Sequence, residues 1–478
     1  MFWGFANKFF DAVMRTPHVA LCFLGCGLTR GWLDILILEA RATPTGSAWL
    51  PAGVHVIMAL AEAACFLLLG LSARRLSNLR TSALGAMCFL TSPLVGATLI
   101  TTSPFTGSFE SSVRTLGLVL CGIGYAAQLL LWLEAFGLLN TKLAVLAWAE
   151  SHLVSFCIWA IVVHSDSTVS RVFLFLLPIA SIASAVTSYR HIQSGSEEAE
   201  RRSARDASST SGRPLDIPWL LIVWVCTFGL LYGIADGVTG MAFSTAPSRF
   251  GMAIPSVIVL VGVIFAAGRF DFKAMTIIAV IGMVVGLVIV FVLQASPAAS
   301  QLFISAANES YLMFAHMFAC SLAHRTDHSA AGPCGLVGAT NIVAIQLGMV
   351  AGKALQTSLE QIAWLSIAVG CAGIILAIAL TVAAVYNRDY LDSFTLRPNP
   401  DDRRRTLLAE KAVKLALSPK EIAVFNLLAD GMPAPEIAEE LFLAPSTVRA
   451  HTSNIYRKMG IHTRAEFETL ISTKLLEE

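Results

Sequence analysis

The sequence predicts an all-α protein in two parts. The first is a polytopic bundle of twelve membrane-spanning helices, arranged six plus six, and the second is a small four-helix soluble domain. Three observations predict it. Of the 478 residues, 56% are hydrophobic and only 14% are charged, where a soluble globular chain carries about 25% charged residues. The deficit is uneven: residues 1–385 are a series of apolar runs, and residues 386–478 have ordinary soluble composition. The runs also have the right length, since a helix needs about 20 apolar residues to cross a bilayer. The net charge of +1 averages over two solvents and identifies no partner.

In chain order, the apolar segments run over 18–38, 52–72, 82–101, 113–137, 143–163, 171–189, 217–241, 251–268, 274–294, 301–323, 334–352 and 362–386. Ahead of them, Met1 to Lys8 leads into Phe9, Phe10, Asp11 and Arg15 without an apolar core and a small-residue cleavage site. No cleavable signal peptide is expected. Residues 1–189 make the first half of the bundle and 217–386 the second. Residues 190–216 between them are polar and serine-rich around Gln193 to Gly212, the composition of a flexible linker. All ten cysteines lie between Cys22 and Cys371, without a C-x-x-C pair. Buried reduced thiols are expected, with no disulfide or zinc framework and no cofactor.

Lysine and arginine set the orientation. With the amino terminus inside, the cytoplasmic segments ahead of the carboxy-terminal tail hold Lys8, Arg15, Arg74, Arg75, Arg80, Lys142, Arg190, Arg201, Arg202, Arg205, Arg213, Arg269, Lys273 and Arg325. The opposite face holds only Arg41, Arg114, Arg171, Arg249 and Lys353. An even number of crossings returns the carboxy terminus to the cytoplasm. A second linker, 387–416, contains Pro398, Pro400 and the basic run Arg403 to Arg405, and Thr406 to Ala416 reads as a helix. The basic run suits lipid head groups, DNA phosphates or simple membrane-flank charge.

The last segment, 417–478, carries its own punctuation. Ser418 with Glu421 is a capping box, Pro419 sits at the first helical position and Gly431 ends that helix. Pro445 opens the third helix, Gly460 closes it, and Thr463 with Glu466 starts the fourth. The third helix has two faces. Val448, Thr452, Ile455 and Met459 recur at helical spacing and would pack inward. Ser446, Arg449, Ala450, Ser453 and Arg457 form a small, polar, basic face that suits a major groove and its phosphates. A solvated surface is the plain alternative for any single basic helix. The continuous pattern from Leu417-Ser418 through Pro435-Glu436-Ile437-Ala438 to Ser446-Thr447-Val448-Arg449-Ala450-His451 and Asn454-Ile455-Tyr456-Arg457-Lys458-Met459-Gly460 resembles the LuxR-type (GerE) helix-turn-helix. The resemblance implies binding to a double-stranded DNA operator as a homodimer. It makes Arg449, Ala450 and Ser453 the base-facing positions, and Thr447, His451 and Lys458 phosphate-side and framework positions. Arg457 joins them from the basic face. Pro433 and Ala444 stand where the family usually has serine caps.

Six spans, a central cytoplasmic loop and six more spans resemble the major facilitator superfamily. Its loop signature between spans two and three is only partly present: Gly70 and Arg75 fit, whereas Arg74 and Ser77 replace an aspartate and a glycine. That departure argues against transport. The whole chain looks like bacterial regulators that join a twelve-span sensor to a LuxR-type output domain, in the bacterial inner membrane with both termini cytoplasmic. Ionisable residues at bilayer depth usually face a cavity or each other. Arg30 and Asp34 in span one, Asp236 in span seven and Glu309 in span ten lie on spans that line the central cavity of facilitator folds. By resemblance they would point at a buried site for a small-molecule inducer. Arg30 and Asp34, four apart, would equally serve to neutralise each other. Enzyme signatures such as a Gly-rich phosphate loop, H-E-x-x-H or a nucleophile elbow do not occur. The expectation is a non-enzymatic, one-component transcription regulator, with a combined transporter-regulator as the alternative.

Overall fold

A computed structural model describes residues 17–41, 53–72, 83–139, 141–194, 218–240, 245–266, 274–325 and 329–386, and, towards the carboxy terminus, 408, 412, 415, 417–429, 432–441, 444–464 and 466–467. Among the described residues, twelve long helices fill the first unit, which ends at Phe394. They are α1 (Pro17–Arg41), α2 (Gly53–Leu71), α3 (Ala83–Thr102), α4 (Glu110–Gly137), α5 (Thr141–Val163), α6 (Ser167–Ser194), α7 (Trp219–Thr239), α8 (Ala246–Ala266), α9 (Ala274–Leu287), α10 (Pro297–Arg325), α11 (Ala331–Gln361) and α12 (Ala363–Tyr386). Two short 3-10 turns lead into α4, and a π-helical stretch, Val288–Val292, extends α9. Among the described residues, seven of the helices are long and apolar enough to cross a membrane. Several run past the apolar segment that marks them, α6 to Ser194 and α11 to Gln361. Hydropathy sees only the part in hydrocarbon, and a helix continues as long as its backbone bonds are made.

This unit is apolar outside as well as inside. Trp132, Trp148, Trp224, Tyr311 and Phe314 are fully buried, while Leu68, Leu71, Ile375 and Trp364 are well exposed. Hydrocarbon is the solvent in which such a surface is stable, because there it has no water to exclude. Prolines sit inside α3, α6 and α8 (Pro93, Pro178 and Pro255), as membrane helices tolerate. Close packing relies on small residues. A Cβ added at Gly233 of α7 would strike the Ile345 carbonyl oxygen of α11, and one at Gly348 of α11 would strike that of Leu230. Backbone thus lies against backbone along the α7–α11 seam, the arrangement that small residues allow in membranes.

The second unit spans Thr395–Glu478 and is described by itself. Its helices are α13 (Pro419–Ala429), α14 (Ala434–Glu440) and α15 (Pro445–Met459), and Arg464, Glu466 and Phe467 are helical after them. Val424, Phe425, Ile437, Val448, Ile455 and Phe467 form its core. Leu408 and Ala412 are buried in that core too, so the linker expected over 387–416 contributes to the folded unit. The capping box at α13 is formed: Ser418 N–H donates to Glu421 Oε2 at 2.8 Å, and Glu421 N–H to Ser418 Oγ at 3.4 Å. Gly460 closes α15 at φ 69°, a left-handed conformation that only glycine adopts without strain. The serine-rich linker core, the Arg74–Ser77 loop, Gly431 and the run Arg403 to Arg405 lie outside the described residues.

Candidate ligand site and nucleic-acid interface

Four side chains from three helices meet in the middle of the bundle. Arg30 comes from α1, Trp148 and His152 from one face of α5, and Glu309 from α10. The Arg30 guanidinium lies over the Trp148 ring, 4.0 Å from its centroid. Its Nη1 is 2.6 Å from His152 Nε2. Glu309 Oε2 is 2.5 Å from the same nitrogen, and Glu309 Oε1 accepts from Trp148 Nε1–H at 2.9 Å. The imidazole's Nδ1 faces the Trp148 carbonyl at 3.3 Å. A carbonyl only accepts, which assigns a hydrogen to Nδ1. Nε2 then accepts from Arg30 with its one lone pair, and the Glu309 carboxylate closes on the same edge of the ring. His316 stacks on Trp148 with centroids 4.9 Å apart.

Asp34 does not pair with Arg30. It forms an ion pair with Arg249 of α8 and accepts from Ser155 Oγ of α5 at 2.6 Å. Local spacing suggested an (i, i+4) pair, but each charge instead finds its partner on another helix, and Arg249 lies across the bundle halves. Asp236 of α7 accepts from Gln301 Nε2 at 3.4 Å, and the same amide lies 3.3 Å from the Tyr232 hydroxyl. Asp236 therefore belongs to a polar group within the second half. The Tyr311 hydroxyl lies between the side-chain oxygens of Asn308, at 2.9 Å, and Asn341, and its one hydrogen serves one of them at a time. Near the end of α4, Glu134 Oε2 accepts from Ser329 Oγ at 2.8 Å and from the Ala331 N–H at 2.7 Å. A carboxylate of the first half thus caps the amino terminus of α11 in the second, where the helix dipole favours negative charge.

Sequence reasoning missed Trp148, His152 and Arg249 at this site. A signal existed for the first two. Trp148, Ser151, His152 and Ser155 recur at three- and four-residue spacing along an otherwise apolar span, a polar stripe on one helix face. Arg249 was counted as a loop charge, whereas it lies in the first turn of α8 and is buried.

In the second unit, α15 has the two faces its spacing predicts. Val448 and Ile455 are buried, Met459 packs against the core, and Thr452 Oγ1 turns back to the Val448 carbonyl at 2.9 Å. Ser446, Arg449, Ala450, Ser453 and Arg457 are exposed, and Thr447 and His451 are half-buried beside them. Arg457 Nη2 donates to Asn454 at 3.1 Å. Lys458 Nζ reaches Glu421 Oε2 at 2.7 Å, which ties α15 to the cap of α13. Hydrogen bonds from Lys458 and from the Ser418 N–H hold the Glu421 carboxyl down at about 2.

The comparisons fit both units. The family described as "Bacterial regulatory proteins, luxR family" matches residues 415–470. Residues 415–470 are a LuxR-type helix-turn-helix domain. Similar sequences include the Fimbriae Z protein of Salmonella typhimurium, 44% identical over 52 residues, which are 11% of this chain and 25% of that protein. The probable transcriptional regulatory protein NarL of Mycobacterium tuberculosis is 47% identical over 49 residues, 10% of this chain and 23% of that protein. The chain thus spans about a quarter of the length of these curated relatives, all of it within the LuxR-type domain. The membrane unit is similar to the major facilitator superfamily proton:xylose symporter XylE bound to 6-bromo-6-deoxy-D-glucose, with TM-score 0.52 and 14% identity over 76% of this chain and 94% of that one. It is also similar to a bacterial homologue of the iron transporter ferroportin, with TM-score 0.51 and 15% identity over 76% of this chain and 98% of that one. At such identities the likeness is one of fold. The chain therefore joins a facilitator-like, multi-pass membrane bundle to a LuxR-type DNA-binding domain.

Proposed function

We propose that the chain is a membrane-embedded one-component transcription regulator. A small molecule binds between the halves of the facilitator-like bundle, and the occupied bundle changes how the LuxR-type domains pair on an operator. The observation that carries this reading is the Arg30–His152–Glu309 group, built from both halves of the bundle in a chain that also holds a DNA-binding domain. A guest that prefers one packing of the halves supplies the free energy for the change, and only its differential affinity counts. An effect of about 1–3 kcal/mol, roughly 5–150-fold, suffices. In this reading the chain sits in a bacterial inner membrane with both termini in the cytoplasm, and the halves, linkers and output domain follow the divisions at 190–216 and 387–416. Arg449, Ala450 and Ser453 face bases, Thr447, His451 and Arg457 lie toward phosphates, and Lys458 is a framework residue that holds α15 to α13.

The test uses a reporter under the promoter of genes adjacent to the coding sequence, with culture extracts as the source of inducer. Induction by an extract fraction that is lost in Arg30→Met, while the variant still inserts and still binds the promoter DNA, is the expected outcome. Equal induction in Arg30→Met would remove the site from the reading. The second reading is a transporter that also regulates, favoured by the fold shared with XylE and the ferroportin homologue. Uptake of the inducing fraction into proteoliposomes would select it.

A further inference from the structure

The unused edge of Arg30 defines the class of guest, on the reading that this site binds a small molecule. Nη1 is engaged by His152. Nε and Nη2 are buried and have no hydrogen-bond partner. These two nitrogens share one edge of the planar guanidinium, and their N–H bonds run parallel. That edge matches the two oxygens of a carboxylate, which takes two parallel, charge-assisted bonds from it. The neighbouring groups do not fill it. Both oxygens of Glu309 are taken by Trp148 and His152. Cys26 lies within hydrogen-bond reach of Arg30 and Tyr125 acts on it electrostatically, but a thiol is a weak acceptor that cannot take two parallel bonds, and a phenol offers a single oxygen. An empty, desolvated donor pair is costly, so it stabilises any guest that satisfies it.

The acids nearby are engaged elsewhere. Glu309 gives both oxygens to Trp148 and His152 and reaches Arg30 only through the imidazole. Asp34, one turn along α1 from Arg30, is committed to Arg249 and Ser155. Trp148 fixes the guanidinium plane from one side, so the free edge is held in a set direction rather than left to swing.

We infer that the guest is a small organic carboxylate, gripped two-point by Nε and Nη2 of Arg30 beside the Trp148 ring. A neutral amide of the same shape offers one oxygen and sets an N–H against a donor. An amine meets like charge.

The full-length protein in lipid nanodiscs tests this with acetate, benzoate, phenylacetate and succinate, each against its amide. Thermal unfolding gives the shift and equilibrium dialysis the affinity. At least one acid should bind about 10-fold or more tighter than its amide. Arg30→Lys keeps the charge but loses the fork, and should weaken that acid about 10-fold while the unliganded midpoint stays close to wild type. An amide that binds as tightly as its acid, or an unchanged affinity in Arg30→Lys, overturns the assignment. So does failure of all four acids at about 10 mM, a concentration at which millimolar binding is visible. None of these outcomes touches the sensing reading, which stands or falls with the extract-driven reporter. A cationic inducer isolated from that reporter would retain sensing and remove the carboxylate.

Discussion

Arg449 is the one long donor among the three positions of α15 assigned to bases, and it stands exposed with Ala450 and Ser453 on the same face. Arginine donates two bonds to guanine O6 and N7, so Arg449→Ala should cost about 1–3 kcal/mol at the operator and relax preference at one position per half-site. Fluorescence anisotropy of segment 395–478, which carries its own core, measures this; an equal loss on every sequence would mean the groove face is misassigned. Lys458 should act through the fold. Its partner Glu421 has a carboxyl lowered to about 2, against about 4.3 in an unfolded chain. A lowered folded value stabilises above the unfolded one, and that stability is lost as pH falls from about 4.3 towards 2. Urea midpoints of the segment should fall through this window, and Glu421→Gln should flatten the fall; an unaltered slope would show that other acids carry it. Residues whose partners lie nearby in sequence were legible beforehand, as the Ser418–Glu421 box was. The Glu309–His152 contact was not, because it joins positions 157 apart and no local pattern encodes which buried acid meets which base.

At the scale of the element, helix starts and stops were readable because Pro and Gly act on the backbone itself. Pro445 and Gly460 bound α15, and the structure ends it in the left-handed conformation the glycine allows. Less legible were the polar continuations of α6 and α11 and the π-helical stretch after α9, since hydropathy reports solvent and not hydrogen-bond register. Ala444 precedes α15 with extended backbone and makes no side-chain cap bond. Ala444→Ser should therefore supply a missing acceptor to the first turn and stabilise segment 395–478 by about 1 kcal/mol, read as a higher urea midpoint with unchanged slope. A lowered midpoint would mean that the serine finds no geometry there. In the bundle, the α7–α11 seam is set by backbone contact, which cannot yield as a side-chain tip can. Gly233→Val should force the two helices apart, cost about 1–3 kcal/mol and lower the unfolding temperature of the full chain in nanodiscs, whereas the same change at Gly240, which has open space around it, should act only through its backbone angle.

Across the whole membrane unit, the two halves are tied at three depths. Asp34 lies in the last third of α1 and Arg249 in the first turn of α8, so their pair sits toward the face opposite the start of α1. Glu134 in the last turn of α4 meets the first residue of α11 at the near face, and Arg30, His152 and Glu309 lie between. These ties hold the two halves together at both ends in this packing, so any rearrangement of the halves must break at least one of them. Removing one partner of a buried pair leaves the other charge uncompensated, at about 3–5 kcal/mol. Asp34→Asn should therefore penalise this packing while leaving the tie at the near face intact. Spin labels placed on the far-face ends of α1 and α8 should show, by double electron–electron resonance, a longer distance becoming the main population in Asp34→Asn. The double variant Asp34→Asn, Arg249→Met removes the stranded charge and should recover part of the short distance. A shift towards 99:1 between such states needs about 5.5 kcal/mol, so a single broken tie should redistribute the population without emptying either state. The Asp34→Asn reporter strain should accordingly show altered basal expression with no inducer added. Unchanged distances together with unchanged basal expression would mean that the Asp34–Arg249 pair serves only to neutralise two buried charges, and that the change between packings is controlled at the Glu134 end.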